Sequence, residues 1–233
     1  MTTTLYLIRH GETDWNLDGR WQGHTDIPLN SIGRKQAKIL AQRLHDEGTR
    51  FDVIYSSDLT RAYQTAWEIG AAIKVAVQLL PPLREIDMGC WSGLTRDEIK
   101  SRYPMEYRLL ELDHDIPRGG GENLAALRKR VVDTTQAILA HHPDKTIVFV
   151  THGGPIRALL AHAYGKTGLV KVPHIGNTSI SILRHGIGGW NVVRCNDMSH
   201  LEGQPQAHDL LSTPPDDAEG LQSEAQTPVS RRK

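Results

Sequence analysis

This chain of 233 residues has few cysteines, no formal net charge and no long apolar run. Its two cysteines, Cys90 and Cys195, are too few for a disulfide framework, so we expect two reduced thiols. The formal net charge is zero and no lysine/arginine run forms a basic stripe, which argues against nucleic acid as a partner. No apolar run approaches the length of a membrane helix, and the N-terminus lacks the pattern of a signal peptide. We therefore expect a cytoplasmic protein with no membrane contact.

Short apolar runs alternate with helical patterns along most of the chain. The strand candidates are Thr4–Ile8, Phe51–Tyr55, Lys74–Val77, Thr146–Val150, Ser179–Leu183 and Trp190–Cys195. Between them apolar residues recur at helical spacing, and Ser57-Asp58 and Thr95–Glu98 are candidate helix caps. Strands alternating with helices predict a three-layer α/β/α sandwich with a mostly parallel sheet.

Two segments interrupt this alternation. Residues 84–121 contain a helical pattern and the glycine run Gly119–Gly121 but no clear strand, so we expect an insertion folded over the carboxyl ends of the strands. Residues 204–233 are rich in proline, glutamine, serine and acidic residues and poor in aromatics. Such a composition cannot bury enough surface to offset chain entropy. The prediction is one domain over residues 1–203, followed by a disordered tail.

Two histidine–glycine pairs each follow an apolar strand pattern. Leu5–Ile8 leads into Arg9-His10-Gly11, and Thr146–Val150 leads into Thr151-His152-Gly153. Because ligands of open α/β sheets bind beyond the carboxyl ends of strands, we expect both imidazoles at one site. Histidine can act there as a nucleophile, an acid or a base near neutral pH.

Positive charge near these histidines predicts a site for a phosphate dianion. Arg9 precedes His10, and Arg61 follows another strand candidate and its turn. An arginine fork binds phosphoryl oxygens, and the same charge favours a neutral imidazole that can attack phosphorus. Gly153-Gly154 opens a helical pattern, whose free N–H groups suit an anion.

A phosphatase also needs a proton donor for the leaving alkoxide. Glu85 is our candidate, because a nearby phosphate dianion favours a protonated carboxyl. Asp87 is the competing choice. Two roles remain open for Arg84: a surface ion pair or a contact with the site.

The opening motif, Leu7–Thr13 followed by Trp15-Asn16, closely resembles the signature of the histidine phosphatase superfamily, in its phosphoglycerate-mutase-like branch. The resemblance keeps its order to about Glu202. Its later motifs are Gln22-Gly23, Asp26–Leu29, Ser56–Ala62, Leu83–Ile86, Gly119–Glu122 and Thr151–Gly153. It implies a phosphoglycerate-mutase-like fold.

The same resemblance implies roles for individual residues. His10 would become phosphohistidine, and Glu85 would act first as acid and then as base. Arg9, Arg61 and His152 would clamp the phosphoryl group. Substrate and phosphate contacts would come from Asn16, Gln22, Gly23 and the Gly153 backbone. The family uses no metal, and no cofactor is expected.

Within this family the opening and the ending of the chain are most similar to broad-specificity phosphatases. The segment Met88–Arg118 lacks the paired arginines with which cofactor-dependent mutases hold a substrate carboxylate. Leu83–Gly93 is also similar to metal-independent phosphoserine phosphatases, although Met88 stands where some of those have histidine. We predict a phosphatase of small phosphorylated metabolites. The alternatives are a cofactor-dependent phosphoglycerate mutase, a phosphoserine phosphatase and a catalytically silent phospho-ligand-binding protein, and a homodimer is one assembly considered.

Overall fold

Six strands in the described part of the chain form one sheet. A computed structural model describes residues 2–165 and 174–202. The strands are Thr2–Arg9 (β1), Val53–Ser56 (β2), Val77–Leu79 (β3), Thr146–Thr151 (β4), Ile180–Gly186 (β5) and Gly189–Asp197 (β6). Their order across the sheet is β3-β2-β4-β1-β5-β6. The first four strands are parallel: β1 pairs with β4, and β2 pairs with both β3 and β4. β5 is antiparallel to both of its neighbours, β1 and β6. The predicted mostly parallel sheet is confirmed.

Helices pack on both faces of this sheet. Within the described residues the α-helices are Asp14–Leu17 (α1), Ser31–Asp46 (α2), Thr60–Ile73 (α3), Arg96–Arg102 (α4), Pro104–Glu111 (α5), Leu124–His141 (α6) and Gly153–Ala163 (α7). One apolar core lies under α6 and α7, and a second lies under α2 and α3. Leu7 and Ile8 of β1 point into different cores, because strand side chains alternate between faces. The predicted three-layer sandwich is confirmed.

The third strand begins later than the sequence predicts. Lys74–Val77 is wrong as a strand, because α3 continues to Ile73 and Lys74 ends it with a left-handed φ of 59°. The N–H groups of Lys74 and Val75 both donate to the carbonyl of Gly70. These bonds close the helix end and reverse the chain, so the strand begins only at Val77.

The start of α3 also differs from the prediction. Its N-cap is Leu59, which provides no side-chain cap, so Ser57-Asp58 is wrong as the cap. The carboxylate of Asp26 instead accepts from the N–H and the hydroxyl of Thr60, at 2.6 and 2.7 Å. A loop distant in sequence therefore satisfies the N-terminus of this helix.

The insertion, residues 84–121, packs against the loop formed by residues 20–25. Trp91, Ile99 and Tyr107 form a small third core. The N–H of Trp21 donates to the carbonyl of Leu94 (2.9 Å), and the N–H of Gly93 donates back to Trp21 (2.7 Å). The insertion thus buttresses a loop that reaches the carboxyl edge of the sheet.

Two other sequence predictions concern the helices and the end of the chain. The Thr95–Glu98 capping box at the start of α4 is confirmed by bonds in both directions. The predicted tail, residues 204–233, lies outside the described residues. Among the residues that are described, no helix combines the length and apolar character needed to cross a membrane.

Candidate active site

The sheet brings His10 and His152 together. β1 and β4 run in parallel with Arg9 opposite Thr151, so each histidine follows its strand at the same edge. The backbone N–H of His10 donates to the backbone carbonyl of Thr151 (2.9 Å), and the centroids of the two imidazole rings are 5.1 Å apart. Both side chains are buried. The carboxyl ends of two neighbouring strands therefore form the candidate active site.

The ring of His10 has a defined protonation pattern. Its Nδ1 lies 2.7 Å from the carbonyl oxygen of Gly11, which can only accept, so Nδ1 carries the hydrogen. Burial, followed by the charges of Arg61 and Arg9, holds the pKa of His10 well below its usual range. The ring is therefore neutral at pH 7, and Nε2 keeps a lone pair that can attack phosphorus.

His152 is the opposite tautomer. Its Nδ1 accepts from Nε of Arg61 (3.2 Å), so Nε2 carries the hydrogen and donates to Oγ of Ser57 (2.9 Å). Burial and then the charge of Arg61 are the largest causes that hold the pKa of His152 well below its usual range. His152 thus offers a neutral N–H donor where His10 offers a lone pair.

Two buried arginines supply the positive charge of the site. Arg61 donates to the carbonyls of Gly23 and Thr25, both at 2.8 Å, in addition to its bond with His152. Burial lowers the pKa of Arg61 to about 10, which leaves it charged at neutral pH. Arg9 donates from Nη1 to the carbonyl of Ile175 (2.6 Å). These bonds fix the planar forks that would bind phosphoryl oxygens.

The carboxylate of Glu85 lies at the N-terminus of α7. Both oxygens accept from the N–H of Gly154 at 3.1 Å, and Oε1 also accepts from the N–H of Ile86 at 2.8 Å. A methyl group on Gly153 would lie 3.9 Å from Oε2 of Glu85 and 4.0 Å from Nε of Arg9. The carboxylate of Glu85 and the guanidinium of Arg9 therefore both lie beside Gly153. A methyl group on Gly154 would lie only 2.1 Å from Oε1, so glycine there admits the carboxylate.

The other predicted contact residues lie close by. Asn16 is buried, and its Oδ1 accepts from the N–H and the hydroxyl of Thr13, both at 3.1 Å. Gly23 has a φ of +51° and presents its carbonyl to Arg61. Gln22 is buried, and its Oε1 has no hydrogen-bond partner among the described residues. Gln22 and Gly23 thus belong to the loop that Arg61 holds.

Sequence reasoning misses two residues that contact the histidines. Ser57 reads as a helix cap in the sequence, yet it accepts from His152. Asn177 donates from Nδ2 to the carbonyl of His10 (3.0 Å) and to Oδ1 of Asn16 (3.4 Å). Asn177 precedes β5 and is 167 residues from His10, so only the pairing of β1 with β5 joins them. Its local signal, Asn before Thr, indicates no more than a turn.

The two buried neutral histidines predict how stability depends on pH. In the unfolded chain a histidine titrates near about 6.5, whereas the pKa of each is lowered in the folded protein. Below pH ~6.5 the unfolded chain therefore binds protons that the folded protein excludes. The free energy of unfolding should fall with decreasing pH, by about 1.4 kcal/mol per pH unit for each histidine.

Urea unfolding between pH 7.5 and 5 measures this slope. Because other groups titrate as well, the informative quantity is the difference between the wild type and the variants His10→Asn and His152→Asn. Each variant should reduce the slope by about one proton. An unchanged slope in a variant would mean that the replaced histidine is protonated inside the folded protein.

The chain matches a known family over nearly all of its described length. The model of the histidine phosphatase superfamily (branch 1) matches residues 5–198. Phosphoserine phosphatase 1 of Hydrogenobacter thermophilus is 41% identical over 211 residues, which cover 89% of this chain and 99% of that protein. Phosphoglycerate mutase-like protein 4 of Arabidopsis thaliana is 40% identical over 203 residues, which cover 85% and 86%.

A solved structure shares the fold. Phosphoserine phosphatase from Entamoeba histolytica, in complex with 3-phosphoglyceric acid, superposes with a TM-score of 0.77. It is 33% identical, and the match covers 85% of this chain and 99% of that one. The sheet topology, the family match and these relatives all indicate the same superfamily. The chain belongs to the histidine phosphatase superfamily and is a phosphoric monoester hydrolase.

Proposed function

We propose that this enzyme hydrolyses small alkyl phosphomonoesters through a phosphohistidine on His10, with Glu85 as the acid and then the base. The observation that carries the proposal is the state of His10. Its Nδ1–H is bonded to the carbonyl of Gly11, so a neutral ring keeps Nε2 free to attack between two buried arginines. A metaphosphate-like group forming there would be stabilised by those charges.

The first step transfers the phosphoryl group to the protein. Nε2 of His10 forms a bond to phosphorus while the bond to the ester oxygen breaks. The carboxyl of Glu85 gives its proton to that oxygen, so the alcohol leaves neutral. Arg9 and Arg61 bind the phosphoryl oxygens, and the Nε2–H of His152 joins them by exchanging its bond to Ser57 for one to the phosphoryl group. The Gly153 N–H and the Asn16 amide add hydrogen bonds. Gln22 and Gly23 line the side on which the alcohol leaves.

The second step returns the site to its starting state. Water attacks phosphorus, the carboxylate of Glu85 takes one proton from it, and the bond to Nε2 of His10 breaks. Inorganic phosphate leaves, and His10 is again neutral. The position of Glu85 beside Gly153 and Arg9 suits both steps, whereas the carboxylate of Asp87 bonds the N–H of Gly89 (2.9 Å). This difference supports Glu85 over Asp87.

Phosphoserine is the first substrate to test, because two relatives are phosphoserine phosphatases. A panel of phosphoserine, 3-phosphoglycerate and other phosphorylated metabolites, read as free phosphate, measures kcat/KM for each. We expect release of phosphate from at least one alkyl monoester. Failure of the whole panel, with the protein folded, would contradict the proposal and favour a phospho-ligand-binding protein.

A phosphoglycerate mutase is the second candidate, favoured by the mutase-like relative from Arabidopsis. Against it, arginines of the insertion are engaged in ion pairs: Arg84 with Asp58, and Arg118 with Asp115. Of the two possibilities left open for Arg84, the ion pair is present, with Asp58 as its partner. We expect phosphate release from 3-phosphoglycerate to exceed its conversion to 2-phosphoglycerate, with and without 2,3-bisphosphoglycerate. Faster interconversion than release would make the mutase correct.

Activity should not depend on a metal ion. The cations assigned to the phosphate are arginines, and the described residues contain no group of three or more His, Cys, Asp or Glu side chains that could hold a metal. Dialysis against EDTA should leave kcat within about twofold, measured against an untreated sample. Full loss with rescue by magnesium or zinc would overturn the assignment of the site.

The homodimer and the cytoplasmic location stay predictions.

A further inference from the structure

The loop that carries Glu85 depends on other elements for its hydrogen bonds. Residues 84–88 lie between the turn Pro81–Leu83 and the turn Gly89–Trp91, outside any helix or strand. Buried or half-buried backbone groups there still need partners. The hydroxyl of Thr151 donates to the carbonyl of Leu83 (2.6 Å). The imidazole of His24 lies with Nε2 2.8 Å from the carbonyl of Glu85. A pair of side chains, Arg130 and Glu122, supplies several of the other bonds.

Arg130 of α6 binds two carbonyls of this loop and one of the turn before it. Its Nη1 donates to Pro82 (2.6 Å) and to Arg84 (3.1 Å), and its Nη2 donates to Glu85 itself (3.2 Å). A single planar fork thus spans residues 82–85, from the turn into the loop, and ends on Glu85. Lysine has no such fork, because its ammonium is a single point of charge.

Glu122 holds the other side of this arrangement. Its two oxygens accept from Nε and Nη2 of Arg130, at 2.9 and 2.7 Å. Oε2 also accepts from the N–H of Asp87 (3.0 Å), and the N–H of Glu122 donates to the carbonyl of Asp87 (2.9 Å). Both side chains are largely withdrawn from solvent, with 23% and 21% exposure. The pair therefore fixes the loop before and after Glu85.

We propose that Arg130, held by Glu122, is a positioning residue for the acid Glu85. The carboxylate accepts from the N–H of Gly154 at 3.1 Å, while Arg130 and His24 both bind the backbone carbonyl of the same residue. A misplacement of about 1 Å in a reacting group can lower a rate by roughly a hundredfold. This proposal rests on the proposed function, since it takes Glu85 as the proton donor.

The test uses a readout that a loss of stability alone would not change. Phosphoenzyme formation is followed in single-turnover bursts with phosphoserine and with p-nitrophenyl phosphate. The alkoxide of the first needs a proton to leave, whereas nitrophenolate does not. The variants are Arg130→Lys, which removes the fork and keeps the charge, and Glu122→Gln, which keeps an acceptor for Asp87 and removes the pairing charge.

The matched control is Arg43→Lys. Arg43 is a similarly shielded arginine that binds Glu47, Asp197 and Ser199 away from this loop. We expect Arg130→Lys to slow phosphorylation by phosphoserine roughly tenfold to a hundredfold and by p-nitrophenyl phosphate less than about threefold. Glu122→Gln should show the same contrast at a smaller size. Arg43→Lys should leave the ratio of the two rates unchanged.

A double variant completes the test. In the Glu85→Gln background, Arg130→Lys should cost phosphoserine less than about twofold, because the acid that it positions is already absent. An equal loss for both substrates, or the same loss in both backgrounds, would overturn the positioning role. If Glu85→Gln alone shows no contrast between the substrates, the acid assignment in the proposed function fails instead. The two failures are therefore distinguishable.

Discussion

Replacing His10 with alanine is expected to lower kcat at least about a thousandfold and to abolish an acid-labile phosphoenzyme. The reason is that Nε2 of the neutral ring is the proposed nucleophile, and alanine has no lone pair to offer. The imidazole of His10 is buried, and burial together with the charges of Arg61 and Arg9 holds its pKa low, so it is the one side chain proposed as the nucleophile here. Substrate labelled in its phosphate, quenched in base and in acid, measures the phosphoenzyme.

His152→Ala is the matched control for this prediction. His152 offers an N–H donor and not a lone pair, so its loss should slow turnover by about tenfold to a thousandfold while the label still forms on His10. Thermal unfolding of both variants establishes that they are folded. Label on any residue other than His10 would contradict the proposed mechanism.

The second large effect is expected for Glu85→Gln. Glutamine keeps the size of the side chain and can still accept from the N–H of Gly154, but it cannot donate an acidic proton. General acid catalysis is worth about a hundredfold to ten-thousandfold, so phosphorylation by phosphoserine should fall by that amount. Phosphorylation by p-nitrophenyl phosphate should fall much less, because nitrophenolate leaves without a proton.

The comparison must be made in the burst and not at steady state. Hydrolysis of the phosphoenzyme is common to both substrates, and Glu85 is its proposed base, so a slow second step would hide the contrast. Asp87→Asn provides the control: it should slow both phosphorylation rates equally or not at all. An equal loss for both substrates in Glu85→Gln, with a contrast in Asp87→Asn, would move the acid role to Asp87.

Much of the fold could be predicted from short stretches of sequence. Apolar runs mark five of the six strands within a few residues. β2 and β4 are buried along nearly their whole length, and a strand buried on both faces needs apolar side chains at every position. The capping box at Thr95 is equally local, since it involves only residues up to Glu98. The expectation that His10 and His152 share a site needed only the rule that parallel strands end at one edge of the sheet.

Two local predictions failed, one because a distant residue replaces the predicted cap and one because a neighbouring helix end overrides a strand pattern. Ser57-Asp58 has the composition of a helix cap, but Asp26 caps α3 from another loop. Lys74–Val77 reads as a strand, but the bonds to Gly70 turn these residues into a helix end. The local preference of Ser57-Asp58 is worth about 1 kcal/mol, which a tertiary contact easily exceeds. At Lys74 the helix-ending bonds to Gly70 replace the strand pattern.

The sequence by itself therefore determined the layered sheet and the family, and it supplied the residues that we propose to bind and attack a phosphoryl group. Only the tertiary structure decided how those residues are held. The bond from Arg61 that sets the tautomer of His152, the bond from Asn177 to His10, and the bond from Arg130 to the carbonyl of Glu85 all join residues far apart in the chain. No local periodicity encodes such contacts, because hydrogen-bond partners across a sheet are chosen by strand order and register and not by sequence spacing.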